Sequence, residues 1–309
     1  MKRIALLLAC LLLCCSVAAP RKPPKRPHIL GIAGVTIFVS DVEGAHRYYR
    51  DLVDPNHVCD YCQNVPNQFL FLPSGQRITF KRVPNPPPAD LLADISFLTE
   101  DLEGFRRFLK SRKIQFDEVR KKHEHDLVRL VLHDPEQHEI SFTDAYNLAN
   151  AEDLHAGLPP TPPFSPIRII HAGLIVNDLA AMNHFYQDIL GFRPYWHGGM
   201  KDGETSWVAL QVPDGTDWIE YMLHISPTAD KHTLGVMNHI ALGVTDIRAT
   251  QIQLANLGLK YPEPPQIGRD GKWQLNLYDA NDTRIEFMEF KPVRKPCCSD
   301  FTGPHPGPR

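Results

Sequence analysis

One junction recurs four times along this chain and governs what it can fold into. Val39-Ser40-Asp41, Thr99-Glu100-Asp101, Val176-Asn177-Asp178 and Val244-Thr245-Asp246 each end an apolar, β-branched run and open a helical pattern. Such a run reads as a buried strand. A Ser or Asp at its end caps a helix by accepting hydrogen bonds from the first free N–H groups. Strand-like stretches follow each helix, turning at Pro73-Ser74-Gly75, Asp134-Pro135-Glu136, Pro213-Asp214-Gly215 and 279–282. An internal repeat of this size controls the fold. The reading is α+β: four tandem βαβββ modules, paired into two domains.

With 309 residues the chain is long enough for two cores. Modules one and two fill 30–146. A Pro-rich stretch without periodicity, 147–166, reads as a linker, and modules three and four fill 167–291. The Pro-rich tail 292–309 is expected to be poorly ordered. At the other end, Met1-Lys2-Arg3 precedes an apolar run and the small residues Ser16-Val17-Ala18-Ala19. Residues 1–19 therefore read as a signal peptide, too short to span a membrane, and 20–29 as a flexible tether. The expected location is secreted or periplasmic. Leu7-Leu8-Ala9-Cys10 loosely resembles a lipobox, which gives acylation at Cys10 as the alternative. A net charge of -3 gives no reason to expect nucleic acid. The expected partner is a small molecule, with the chain a monomer or homodimer.

Four polar residues stand where apolar ones belong. His171 and His239 lie in the first strands of modules three and four, and Glu220 and Glu286 in later strands of the same modules. A buried imidazole or carboxylate is costly unless paired or bound to a metal. A single His on an apolar strand is usually a hydrogen-bonded core residue. The order His, Glu, His, Glu across two repeats makes a shared divalent metal the simplest explanation. Such donors suit Zn, Ni, Mn or Fe, and do not decide among them.

The modules resemble the vicinal oxygen chelate superfamily, which includes glyoxalase I, bleomycin-resistance proteins and extradiol dioxygenases. The resemblance rests on Phe185-Tyr186 followed by Leu190-Gly191-Phe192, on Asn238-His239-Ile240-Ala241-Leu242, and on Asp279-Ala280-Asn281-Asp282-Thr283-Arg284-Ile285-Glu286-Phe287. Ala280 and Asp282 replace the Pro and Gly usual in that last turn. The resemblance implies two incomplete barrels and one metal held by His171, Glu220, His239 and Glu286. It also implies that a Glu, here Glu220 or Glu286, acts as the catalytic base of glyoxalase-like isomerase or lyase chemistry. The alternatives are an Fe(II) extradiol dioxygenase and a non-catalytic binding or resistance protein. Two Glu rather than one, and Asn276 where a dioxygenase carries Tyr, weigh against the dioxygenase. Counting from the shared junctions places Gly34, Phe80, Asp94 and Ser141 at the corresponding N-terminal positions. These are no ligand set, so that half is expected to be structural or to shape access.

The remaining signals are weaker. Cys59, Cys62, Cys297 and Cys298 follow the signal segment and read as one or two disulfides or as thiols, with no connectivity implied. His184, His197, His224 and the pair His123 and His125 read as solvated or packed. Trp207, Trp218 and Tyr221 are candidate pocket walls, although strand aromatics are more often core.

Overall fold

The computed structural model describes residues 23–53, 68–120, 127–144, 167–226, 228–259, 261 and 263–308. The signal segment 1–19 with Cys10, the pair Cys59 and Cys62, His123 and His125, and the linker 147–166 lie outside the described residues.

Two curled sheets carry the chain. The first half contributes β1 (Ile29–Val39), α1 (Val42–Val53), β2 (Gln68–Phe71), β3 (Arg77–Arg82), β4 (Leu92–Thr99), α2 (Leu102–Ser111), β5 (Asp117–Arg120), β6 (Leu127–His133) and β7 (Glu139–Asp144). The second contributes β8 (Arg168–Val176), α3 (Leu179–Asn183, continued as a wider π turn over His184–Ile189), β9 (Arg193–Gly198), β10 (Trp207–Gln211), β11 (Trp218–Leu223), α4 (Lys231–Met237), β12 (Ile240–Val244), α5 (Ile247–Asn256), β13 (Gln266–Ile267), β14 (Trp273–Tyr278) and β15 (Arg284–Glu289). Strand order is β2-β3-β1-β4-β7-β6-β5 in one sheet and β13-β14-β15-β12-β8-β11-β10-β9 in the other. Modules two, three and four show all four strands of the repeat. Module one shows three among the described residues. The architecture is the expected α+β pairing of modules into two incomplete barrels.

The repeat is visible in the pairing. In each half the first strands of the two modules meet antiparallel, β1 with β4 and β8 with β12. Each first strand also runs parallel to the last strand of its own module, as β8 does with β11 and β12 with β15. The junction aspartates cap as expected at three helices. Asp101 accepts from Gly104 N at 2.6 Å, Asp178 from Ala181 N at 3.0 Å and Asp246 from Arg248 N at 2.8 Å.

The halves join through buried polar contacts. Asp217 pairs with the buried Arg168 and accepts Ile32 N at 2.9 Å. The Gln76 amide donates to both Ile32 O and Ile169 O at 2.8 Å. Tyr49 OH donates to Asp279 at 3.1 Å. Each group would be costly to bury alone, so these contacts fix how the sheets meet.

The tail departs from expectation. Residues 292–308 are ordered against the second sheet, not loose. Val293 N and Cys297 N donate to Gly271 O and Arg269 O, beside β13 and β14. Further on, Thr302 N donates to Tyr195 O, His197 N to Ser299 Oγ, and Trp196 Nε1 to Cys297 O. Strands β13 and β9 are the two edges of the sheet, so the tail bridges its open seam. Edge strands offer unpaired N–H and C=O groups. The non-proline N–H groups of the tail, the Cys297 carbonyl and the Ser299 hydroxyl make those bonds, so low periodicity there is not disorder. Cys297 and Cys298 are bonded to each other within this tail.

Candidate metal centre

Strand parity brings the four candidates together. His171 on β8 lies across from Ala241, two residue pairs along from His239, which exchanges backbone hydrogen bonds with Gly173 at 2.8 and 3.3 Å. Glu220 pairs with Gly173 across β11, and Glu286 with Ala241 across β15. All four side chains therefore rise into the trough of one sheet. His171 Nε2 and His239 Nε2 are 3.0 Å apart. Glu286 Oε2 lies 3.4 Å from the first and 3.6 Å from the second, and Glu220 Oε2 lies 3.9 and 3.6 Å away. An ion held at about 2.0–2.2 Å by N and O donors sets neighbouring donors roughly 3–3.5 Å apart. The spacing fits such an ion.

The donor chemistry fits as well. His239 donates from Nδ1 to Met237 O at 2.9 Å, which leaves its Nε2 lone pair facing the cluster. Burial lowers the pKa of His171 and takes His239 well below its ordinary value, so both rings favour the neutral form that binds metal. Two neutral imidazoles whose Nε2 atoms face each other at 3.0 Å share at most one proton between them. A cation among two nitrogens and two carboxylates satisfies all of them. Both imidazoles are fully buried, and only Glu220 has appreciable exposure, with 15 % of its side chain open. Burial and the charge of Glu286 push Glu220 up to about 8. Burial pushes Glu286 the same way. The hydrogen bond to His171 and the charge of Arg284 overcome it and hold Glu286 at about 2.

Above the cluster opens a cavity of about 760 Å³, walled by Trp196, Trp207, Trp218, Met222, Lys272 and Phe301, with Glu220 and Glu286 on its floor. Trp207 and Trp218 are thus pocket walls. Tyr221, one residue out of phase, is buried on the opposite face against Tyr186. His184 pairs with Asp188 in solvent, and His224 contacts Thr205 O at an exposed turn. Sequence reasoning missed Lys272, Arg284 and the tail residues Arg294, Cys297 and Phe301. For the first two a signal exists: Lys272 and Arg284 share the strand parity of Asn276 and Glu286. The tail residues carried none.

Among the described residues, the N-terminal half shows no equivalent group of metal-binding side chains. Structural pairing gives Gly34, Thr79, Asp94 and Ser141 at the matching positions, because Gly34 pairs with Arg77, Thr36 with Thr79 and with Asp94, and Ser96 with Ser141. Phe80, the position reached by counting, faces the other way and packs on Tyr49. A slip of one residue moves a strand side chain across the sheet. In place of a metal, Arg129 reaches Asp94 at 3.5 Å and Arg77 lies beside it, around a void of about 10 Å³. No described residue of this half lines the large cavity.

Curled paired modules around a His/Glu cluster define a class of metal-chelating folds, and comparison with known proteins agrees. Residues 168–291 match the model of the Glyoxalase/Bleomycin resistance protein/Dioxygenase superfamily. Lactoylglutathione lyase of Haemophilus influenzae is 30% identical over 130 residues, which is 41% of this chain and 96% of that protein. This chain belongs to that superfamily. Among solved structures, a variant of homoprotocatechuate 2,3-dioxygenase from Brevibacterium fuscum superposes with a TM-score of 0.61 at 17% identity, covering 92% of this chain and 76% of that one. The enzyme of the same name from Arthrobacter globiformis gives 0.60 at 16% identity, over 85% and 80%. At that identity the likeness is one of fold. Relatives in the superfamily are metal-dependent, and the His/Glu group here can hold a metal.

Proposed function

We propose that this chain is a metal-dependent enzyme of lyase or isomerase type, acting on a small substrate with vicinal oxygens. The observation that carries the reading is that two imidazole Nε2 atoms lie 3.0 Å apart and each of two carboxylates reaches both of them at 3.4–3.9 Å, at the floor of a large cavity. His171, Glu220, His239 and Glu286 would hold a divalent ion, which when bound supplies Lewis acidity to the substrate's oxygens.

The chain's own groups divide the remaining work. Glu286, held ionised and nearly closed to solvent, is the permanent anionic donor. Glu220 faces the cavity, so it is the carboxylate able to swing toward substrate and take a proton from carbon. With metal bound its carboxyl would stay ionised, and a carboxylate in that form can accept the proton. Trp207, Trp218 and Met222 exclude water from the floor. Glu220→Gln is expected to abolish exchange of the substrate's carbon-bound hydrogen with deuterated solvent. Exchange at the wild-type rate would overturn the assignment.

The dioxygenase alternative draws on likeness of fold. Asn276 stands directly across from Glu286, where Tyr is expected in that class, and its Oδ1 is buried without a partner. Export is part of the same proposal and rests on residues 1–19. A reporter fused to that segment and retained in the cytoplasm would contradict it. No helix among the described residues is long and apolar enough to cross a membrane.

A further inference from the structure

We propose that the substrate of this site carries a carboxylate, and that Arg284, supported by the field of Lys272, receives it. The inference rests on the metal-site reading for the second half of the substrate, but the anion site has its own evidence.

Five cations line the cavity: Arg269, Lys272, Arg284, Arg294 and Lys295. Two of them are engaged. Arg269 pairs with Asp202 and donates to Gly199 O, and Arg294 donates to Ile267 O at 3.1 Å. Arg284 is different. It sits two residues before Glu286 on β15, so its side chain leaves the same face of the strand. Its Nε is buried without a hydrogen-bond partner among the described residues, and its charge acts on Glu286 and Glu220 without a direct ion pair to either. A guanidinium offers five donors in a fork shaped for a carboxylate. One left without an acceptor in a pocket wall is a binding group in waiting.

Lys272 adds a second positive charge, on neighbouring β14's approach. It is fully buried, its Nζ has no hydrogen-bond partner, and it lies 4.3 Å from the ring centre of Trp218 and 5.1 Å from that of Phe301. The nearest carboxylate, Asp270, is 4.0 Å away. The rings pack around this cation, and its field is projected into the cavity. The local charges agree. A divalent ion cancels Glu220 and Glu286, and Asp270 opposes Lys272. Asp202 pairs with Arg269, and Arg284, Arg294 and Lys295 are left without a carboxylate partner among the described residues, so the cavity is net positive and favours an anionic substrate.

The test uses the full mature chain, with and without divalent metal, and two matched probes, benzoate and benzamide. Titration calorimetry on the wild type is expected to show benzoate bound roughly tenfold more tightly than benzamide, the difference made by a charged hydrogen-bond pair. Arg284→Gln is expected to erase that preference and Arg284→Lys to retain most of it. Metal content of both variants, measured separately by elemental analysis, is expected to match the wild type. Equal binding of the two probes by the wild type, or a preference surviving in Arg284→Gln, would overturn the anion site. A benzoate preference that depends on Arg284 in a protein without metal would uphold this site while removing the metal reading.

Discussion

A β-carbon on Gly173 would stand 2.1 Å from Cε1 of His239 and 2.2 Å from its Nδ1. No side chain fits there. Gly173 exchanges backbone hydrogen bonds with His239, so the missing side chain is what lets the imidazole lie flat against β8 and aim Nε2 at the cluster. His239 Nδ1 is fixed in turn by Met237 O, at the end of the short helix α4. The ligand geometry is therefore set by a glycine and a carbonyl, neither of which touches a metal.

Gly173→Ala is the direct consequence. The added methyl displaces the His239 ring while leaving the strand's pairing possible. Loss of an orienting contact of this kind typically weakens metal affinity by about 10–100-fold. Competition against a fluorescent chelator is expected to show that loss, with the far-ultraviolet circular dichroism unchanged. Affinity equal to the wild type would mean that His239 is not a ligand.

Glu220 makes metal uptake sensitive to pH. Its carboxyl sits at about 8 in the metal-free protein against an ordinary 4.5, through burial first and the charge of Glu286 second. A folded pKa raised above the unfolded one contributes stability that is fully present below about 4.5 and is lost as pH rises through about 8. Binding metal requires the ionised form, so affinity rises with pH up to about 8 and each ion taken up near neutrality releases a proton. Calorimetry in two buffers of different ionisation enthalpy reads that proton. Uptake without release at pH 7 would contradict the assignment.

Asp94 tests the division of labour between the halves. It is buried beside Arg129, whose side chain is 23% exposed. Asp94→Asn leaves Arg129 and the part-buried Arg77 without their anion. For a pair whose arginine is partly open to water the expected cost is about 2–3 kcal/mol, below the range for fully buried pairs. Urea denaturation is expected to show this loss while metal content stays at the wild-type level. A fall in bound metal would place the N-terminal half in the site.

Much of this was legible in the sequence because strand and helix periods are short and the repeat is fourfold. Asp101, Asp178 and Asp246 mark the helix starts, and His171, Glu220, His239 and Glu286 stand out as polar residues in apolar strands. What failed to show depended on register or on chain beyond the repeat. Phe80 was reached where Thr79 belongs because loops between junction and strand differ in length, and one residue reverses the face. The tail was misread since its bonds to Tyr195, Arg269 and Gly271 are made by backbone atoms, which composition does not reveal. Arg284 was read only as part of a turn motif; its lack of an acceptor is a fact of three dimensions.

The most direct test of the central claim is the metal content of the purified chain, by elemental mass spectrometry, for the wild type and His239→Ala. One equivalent of a divalent transition metal in the wild type, lost in the variant with the fold intact, is the predicted result. A wild type purified without metal that also fails to take up Zn, Ni, Mn or Fe, or a variant that retains a full equivalent, would contradict it.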